Sequence, residues 1–142
     1  MSSTGRVRVT ATFMPKSWDE KTYAQDSPGT KITRSSVVYQ YTGEMEGEGS
    51  AECLMFYSSY DEQDPHRAAA EYIGLIRFTG TLNGKGGDFV LEEKGAYGGG
   101  TARSSLRILP GSGTKALAGI SGTGTTLATA KTCQVELEYV LP

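Results

Sequence analysis

Apolar and polar residues alternate with a period of two along most of this chain, and glycine-rich breaks separate the alternating runs. In residues 6–13, Val7, Val9, Ala11 and Phe13 fall on one side while Arg8, Thr10 and Thr12 fall on the other. That is the pattern of a strand with one covered face. Residues 32–42 repeat it, with Ser35, Val37, Tyr39 and Tyr41 sharing a face and Gly43 starting a turn. Residues 46–57 place Cys53, Met55 and Tyr57 against Glu48, Glu52, Leu54 and Phe56, and both sets carry bulk. Either face of that run is compatible with burial. Residues 72–82 set Tyr72, Gly74, Ile76 and Phe78 against Ile73, Leu75, Arg77 and Thr79, which predicts cover on both sides. Asn83-Gly84 follows, a dipeptide suited to the two positive φ values of a tight hairpin, and residues 88–97 return. Residues 102–109 and 134–141 add strands, the last with Val135, Leu137, Tyr139 and Leu141 on one side. Roughly eight strands result.

One segment breaks the alternation. Asp64-Pro65-His66-Arg67-Ala68-Ala69-Ala70-Glu71 offers an N-cap, a proline at the first helical position and an alanine run, and predicts one short surface helix. The window from Pro110 to Gly124 carries five glycines between strand-like runs. Glycine permits sharp reversals and close backbone approach, so this window predicts tight turns at the corner of a closed β-structure. Many short strands make a sandwich or a barrel, and closure removes exposed sheet edges. The expectation is an all-β fold, a small antiparallel β-barrel, with residues 1–142 as a single domain. Its inward positions, among them Val9, Tyr39, Met55, Phe78, Leu91 and Leu137, are bulky. Such an interior is either filled by side chains or holds one small ligand.

Composition narrows the function classes. Fourteen Lys and Arg stand against 16 Asp and Glu, a net charge of −2, which gives no electrostatic case for nucleic acid or for an anionic membrane. Met1-Ser2-Ser3-Thr4-Gly5-Arg6 has no apolar leader character, and no apolar run approaches the roughly 20 residues of a spanning helix. A cytoplasmic protein is expected. Cys53 and Cys133 lie in strand-like runs and read as reduced core residues, and a lone His66 leaves no metal spacing. Neither a metal nor a cofactor is expected. Gly111-x-Gly113-x-x-Ala116 matches a dinucleotide fingerprint only in its letters, because no parallel strand precedes it and no helix follows. Lys115 likewise lacks phosphate-loop spacing.

Candidate chemistry lies in the interior polar groups. Trp18, the sole tryptophan, stands beside Asp19 and Glu20. It reads as a plug at a barrel mouth with Glu20 as its hydrogen-bonding latch, or as the desolvating wall that makes Glu20 a proton-transfer group. Tyr39, Tyr57, Tyr72 and Glu93 fall on expected inner faces. Tyrosine hydroxyls can stabilise a developing oxyanion while Glu93 or Glu52 takes a proton, although a half-buried tyrosine is more often packing alone. Glu44, Glu46 and Glu48 flank a glycine turn and read as a solvated rim.

Five stretches together resemble a known set: Lys16-Ser17-Trp18-Asp19-Glu20, Gly43-Glu44-Met45-Glu46-Gly47-Glu48-Gly49, Leu54-Met55-Phe56-Tyr57, Gly80-Thr81-Leu82-Asn83-Gly84 and Pro110-Gly111-Ser112-Gly113-Thr114. From Phe13 to Tyr139 the chain resembles a bacterial family of unknown function, domain-of-unknown-function family 3224, similar in fold to allene oxide cyclase and dirigent proteins. The resemblance implies a small antiparallel barrel with a lined interior, among whose relatives are cyclases and isomerases of flexible apolar substrates. Two positions depart from what it leads us to expect: Ile76 in place of an acidic residue and Glu93 in place of a histidine. Residues 58–71 also form a longer connection than usual, a lid over the barrel mouth or a surface decoration.

Three readings follow. The first is a barrel that binds a small apolar or amphipathic molecule, lined by Trp18, Tyr39, Met55, Tyr57, Tyr72 and Phe78. The second is a cofactor-independent cyclase or isomerase using Glu93, Glu52 or Glu20 for proton transfer. The third is a filled barrel acting through an outer apolar face, with Ile73, Leu75, Val90 and Leu106, as a homo-oligomer.

Overall fold

The computed structural model describes residues 5–25, 28–61, 63–64 and 67–142. Eight strands follow one another: β1 (Val7–Ala24), β2 (Lys31–Gly43), β3 (Met45–Ser59), β4 (Ala69–Leu82), β5 (Lys85–Gly98), β6 (Thr101–Ile108), β7 (Ser121–Ala128) and β8 (Cys133–Val140). Each pairs antiparallel with the next, and β8 pairs back with β1 from Val7↔Tyr139 to Thr12↔Gln134, closing the expected all-β barrel. The Asn83-Gly84 turn joins β4 to β5 as predicted, with φ of 50° and 82° at its two residues and Leu82 opposite Lys85.

Three segments differ from the sequence expectation. Ala69, Ala70 and Glu71 open β4 instead of continuing a helix, while Pro65 and His66 lie outside the described residues. Ala70 pairs with Tyr57 on one side and Tyr97 on the other, so two backbone ladders outweigh the helical preference of alanine. Second, Ser121-Gly122-Thr123-Gly124 is not a turn but the start of β7. Gly122 lies opposite Tyr139 and Gly124 opposite Leu137, so the large β8 side chains occupy the interior where β7 offers none. Third, β1 runs through Trp18 and Glu20 to Ala24, with a bulge between Pro15 and Ser17. The bulge shifts the phase of the strand. Pro15 faces Tyr39 before it and Trp18 faces Val37 after it, which turns Trp18 and Glu20 to the inner face.

The barrel has two unlike halves. At the lower end, Met45, Phe78, Leu82, Phe89 and Leu91 are fully buried together with Leu117 and Ile120. Those last two come from the connection after β6, which includes a 3-10 turn at Lys115–Leu117. This connection also solves an edge problem: β6 pairs with β5 only from Leu91 upward, leaving the lower part of β5 paired with β4 alone and its other edge without a strand. The Val90 amide donates instead to Ser112 Oγ at 3.0 Å and the Asp88 amide to Thr114 Oγ1 at 3.1 Å. The glycine-rich segment beginning at Pro110 thus seals and plugs the base of the barrel. Gly47 and Gly80 face each other across β3 and β4 at this end, where a Cβ on Gly80 would stand 2.0 Å from the Glu46 carbonyl. Only glycine lets the two backbones approach that closely as the strands coil around the narrow base.

At the upper end β1 to β5 outgrow β6 to β8, and β1 from Phe13 onward has no β8 partner. The interior there is not filled. Ile73 and Leu75 lie on the outer surface, but they are about half exposed, at 48% and 49%, and lack the cover that the two-sided apolar pattern of residues 72–82 predicted. Leu106, expected beside them, is instead buried inside the lower core, and Val90 is half-buried. Among the described residues no helix is long and apolar enough to cross a membrane, and no three His, Cys, Asp or Glu side chains converge as metal ligands.

Candidate functional site

The alternation that fills the lower half with aliphatic side chains brings smaller and more polar ones inward above it. A cavity of about 330 Å³ results, opening at the upper end of the barrel. Its floor is formed by Tyr41 and Ile76, beneath which Tyr41 meets Phe78 edge-on at 5.7 Å and Phe78 meets Phe89 at 5.0 Å. Phe13 and Tyr39 stack edge to face at 5.2 Å on one wall. Met55 and Tyr72 form another, and Ala102 and Ala128 leave the space between them open. Tyr72 owes its place to Gly95, its cross-strand partner, since a Cβ there would come within 2.6 Å of the Tyr72 ring.

Among the described residues Glu93 is the one acidic residue lining the cavity, and it is 9% exposed. Its Oε2 accepts a hydrogen bond from Ser104 Oγ at 2.7 Å, and Cys53 Sγ lies 3.9 Å from Oε1. Ser104 is hydrogen-bonded in turn to Thr126 Oγ1. Burial pushes the carboxyl above its ordinary range, and the Ser104 and Cys53 hydrogen bonds offset only part of that effect. Burial, reinforced by the neighbouring Glu93, also raises the Cys53 thiol and the Tyr72 phenol to about 12. Tyr39 and Tyr41 are raised further for the same two reasons. All four stay protonated at neutral pH, so Cys53 is not a thiolate nucleophile. Neither cysteine is in a disulfide, and Cys133 is a half-buried residue of the cavity wall rather than the core.

Above the cavity, Glu20 gathers three donors. Its Oε1 accepts from Trp18 Nε1 at 3.1 Å, and its Oε2 accepts from Thr33 Oγ1 at 2.7 Å and from the Tyr57 hydroxyl at 2.6 Å. This is the latch geometry. It ties β1, β2 and β3 together at the mouth, with Trp18 half exposed beside the opening.

The remaining sequence candidates separate sharply. Trp18, Tyr39, Met55, Tyr72 and Glu93 come together around the cavity, while Tyr57 stands at the mouth without lining it. Phe78 is wholly buried in the plug below the floor and lines nothing. Glu52 points outward from β3 and pairs with Arg34 at 3.0 Å, with hydrogen bonds from Ser36 and Arg34 lowering its carboxyl. It cannot reach the interior, because one residue along a strand reverses the face. Ser104, Thr126, Tyr97 and Phe13 belong to the site and were not singled out from sequence. Ser104 shares a face with Leu106, two residues on, and the outward expectation for Leu106 hid it. Thr126 was not, because the Gly/Thr alternation of β7 has no apolar stripe to orient it.

Among curated proteins, none matches the chain. A solved structure from Shewanella oneidensis MR-1, a protein with unknown function from the DUF3224 family, superposes with a TM-score of 0.78 at 24% identity. The superposition covers 97% of this chain and 100% of that one, and at this identity it speaks to the fold alone. The sequence profile of DUF3224, a protein family of unknown function, matches residues 9–139, and the chain therefore belongs to that family.

Proposed function

We propose that this protein binds a small, largely apolar molecule in the upper cavity of its barrel. The observation that carries the reading is the contrast between the halves: the strands and the connection after β6 pack the base completely, while the upper half leaves about 330 Å³ open above Tyr41 and Ile76. A space of that size lies at the lower end of ordinary small-molecule sites, and mostly apolar walls with a few convergent polar groups are their usual make-up. The neutral dye N-phenyl-1-naphthylamine is the probe of choice, since its emission rises on leaving water. Saturable enhancement with the wild type is expected, weakened at least tenfold by Ala128→Phe, which fills the cavity from β7. A folded wild-type protein that never enhances the dye, and that carries no small molecule in native mass spectra, would refute the reading.

The buried carboxyl favours a second reading, a cofactor-independent isomerase or cyclase. Glu93 then exchanges the proton, and the protonated Tyr39 and Tyr72 hydroxyls stabilise negative charge on the substrate. Turnover of a bound compound by the wild type and its loss in Glu93→Gln would support this reading over simple binding.

A further inference from the structure

We infer that the molecule held in the cavity is a cationic amphiphile, an apolar body carrying a protonated amine that sits against Glu93. This rests on the binding reading above and specifies its ligand class. The charge inventory of the cavity is one-sided. Among the described residues no Lys, Arg or His lines it, and Glu93 has no ion-pair partner. Among the described residues one hydroxyl at 2.7 Å and a distant thiol are its side-chain donors. An ionised carboxylate so placed lacks the partners that buried charges normally require, so it holds a proton or takes a cation.

The surrounding rings suit the same guest. Phe13, Tyr39, Tyr41 and Tyr72 line one space, and an ammonium group is attracted to the faces of aromatic rings. The chain already uses this contact at the mouth, where Lys31 Nζ lies 4.3 Å from the Tyr60 ring centroid and 5.1 Å from that of Tyr57. Among the described residues the titratable groups facing Glu93 are Tyr39 and Tyr41 from β2, Cys53 from β3 and Tyr72 from β4, with Tyr97 of β5 and Cys133 of β8 in the same cavity wall. All are neutral when protonated, so among the described residues no cationic side chain competes with an incoming cation for the carboxylate. A fatty carboxylate would instead bring a like charge into the same low-dielectric space.

Three alkyl compounds of equal length separate the possibilities: octylamine, octanol and octanoate, each competed against N-phenyl-1-naphthylamine at pH 7.5 and checked by calorimetry. Octylamine is expected to bind at least tenfold more tightly than octanol, and octanoate at least tenfold more weakly. The amine should bind more tightly as pH rises through the range in which Glu93 loses its proton, while octanol should not gain. In Glu93→Gln, with folding verified by circular dichroism, the amine-to-octanol ratio should fall below threefold. Octanol binding as tightly as octylamine to the wild type overturns the amine assignment and leaves the binding reading standing; that comparison needs no variant. Failure of the dye and all three compounds to bind overturns both.

Discussion

Replacing Phe78 by alanine should destabilise the barrel far more than replacing Met55, although both side chains point inward from neighbouring strands. Phe78 is fully buried between Tyr41 and Phe89, in the filled half. Removing a ring from such a position costs ~3–5 kcal/mol, because transfer energy and an unfilled void add. Unfolding entropy near 60 °C is ~2.1 cal/mol/K per residue, which over this chain gives ~0.3 kcal/mol/K and a fall in Tm of ~10–17 °C. Met55 is half-buried and already faces open space, so Met55→Ala forfeits contacts on one side only. It should cost ~1 kcal/mol and ~3 °C. Thermal unfolding by circular dichroism gives both shifts, and urea titration at unchanged m tests that the change lies in stability rather than in the unfolded ensemble. If Met55→Ala lowered Tm as much as Phe78→Ala, the division into a filled base and a hollow top would be wrong.

Glu93 should also leave a signature in the pH dependence of stability. Its folded pKa is raised, so its burial costs nothing where the carboxyl is protonated in both states, and the penalty grows as pH rises from the ordinary carboxyl range through the folded pKa. Glu93→Gln should therefore match the wild type near pH 4 and exceed it in Tm at pH 8; equal Tm at both values would rule out a desolvated carboxyl. Gly80→Ala should prevent accumulation of folded protein or lower Tm by more than 10 °C, because its Cβ meets the Glu46 carbonyl, whereas Gly86→Ala, with nothing nearer than 3.9 Å, should change Tm by less than ~4 °C. Glu20→Ala should shift the emission of Trp18 by removing its hydrogen-bond partner, and Glu52→Ala, on the outer surface, should leave that emission unchanged. With its thiol at about 12, Cys53 should resist iodoacetamide at pH 8 in the native state, so the intact mass should gain one adduct at most.

The sequence by itself determined the strand content, the hairpin at Asn83-Gly84 and the inner faces of β2, β4, β5 and β8. Each of these depends on local alternation or on the φ tolerance of a dipeptide, and both are written residue by residue. It also marked Glu93, Tyr39, Tyr72 and Met55 as inward candidates, because a period of two fixes which residues share a face once one of them is placed, and it singled out Trp18 as the sole tryptophan beside two carboxylates. Tertiary structure decided the rest. The bulge at Pro15 set the phase that turns Trp18 and Glu20 inward, and paired ladders on both sides drew Ala69 and Ala70 into β4 against their helical preference. β7 acquired its place from the β8 side chains opposite its glycines. Height along the barrel is likewise a property of register and strand tilt, not of any local pattern. It put Phe78 beneath the cavity floor and Glu93 beside the open space, although both are inward residues of adjoining strands.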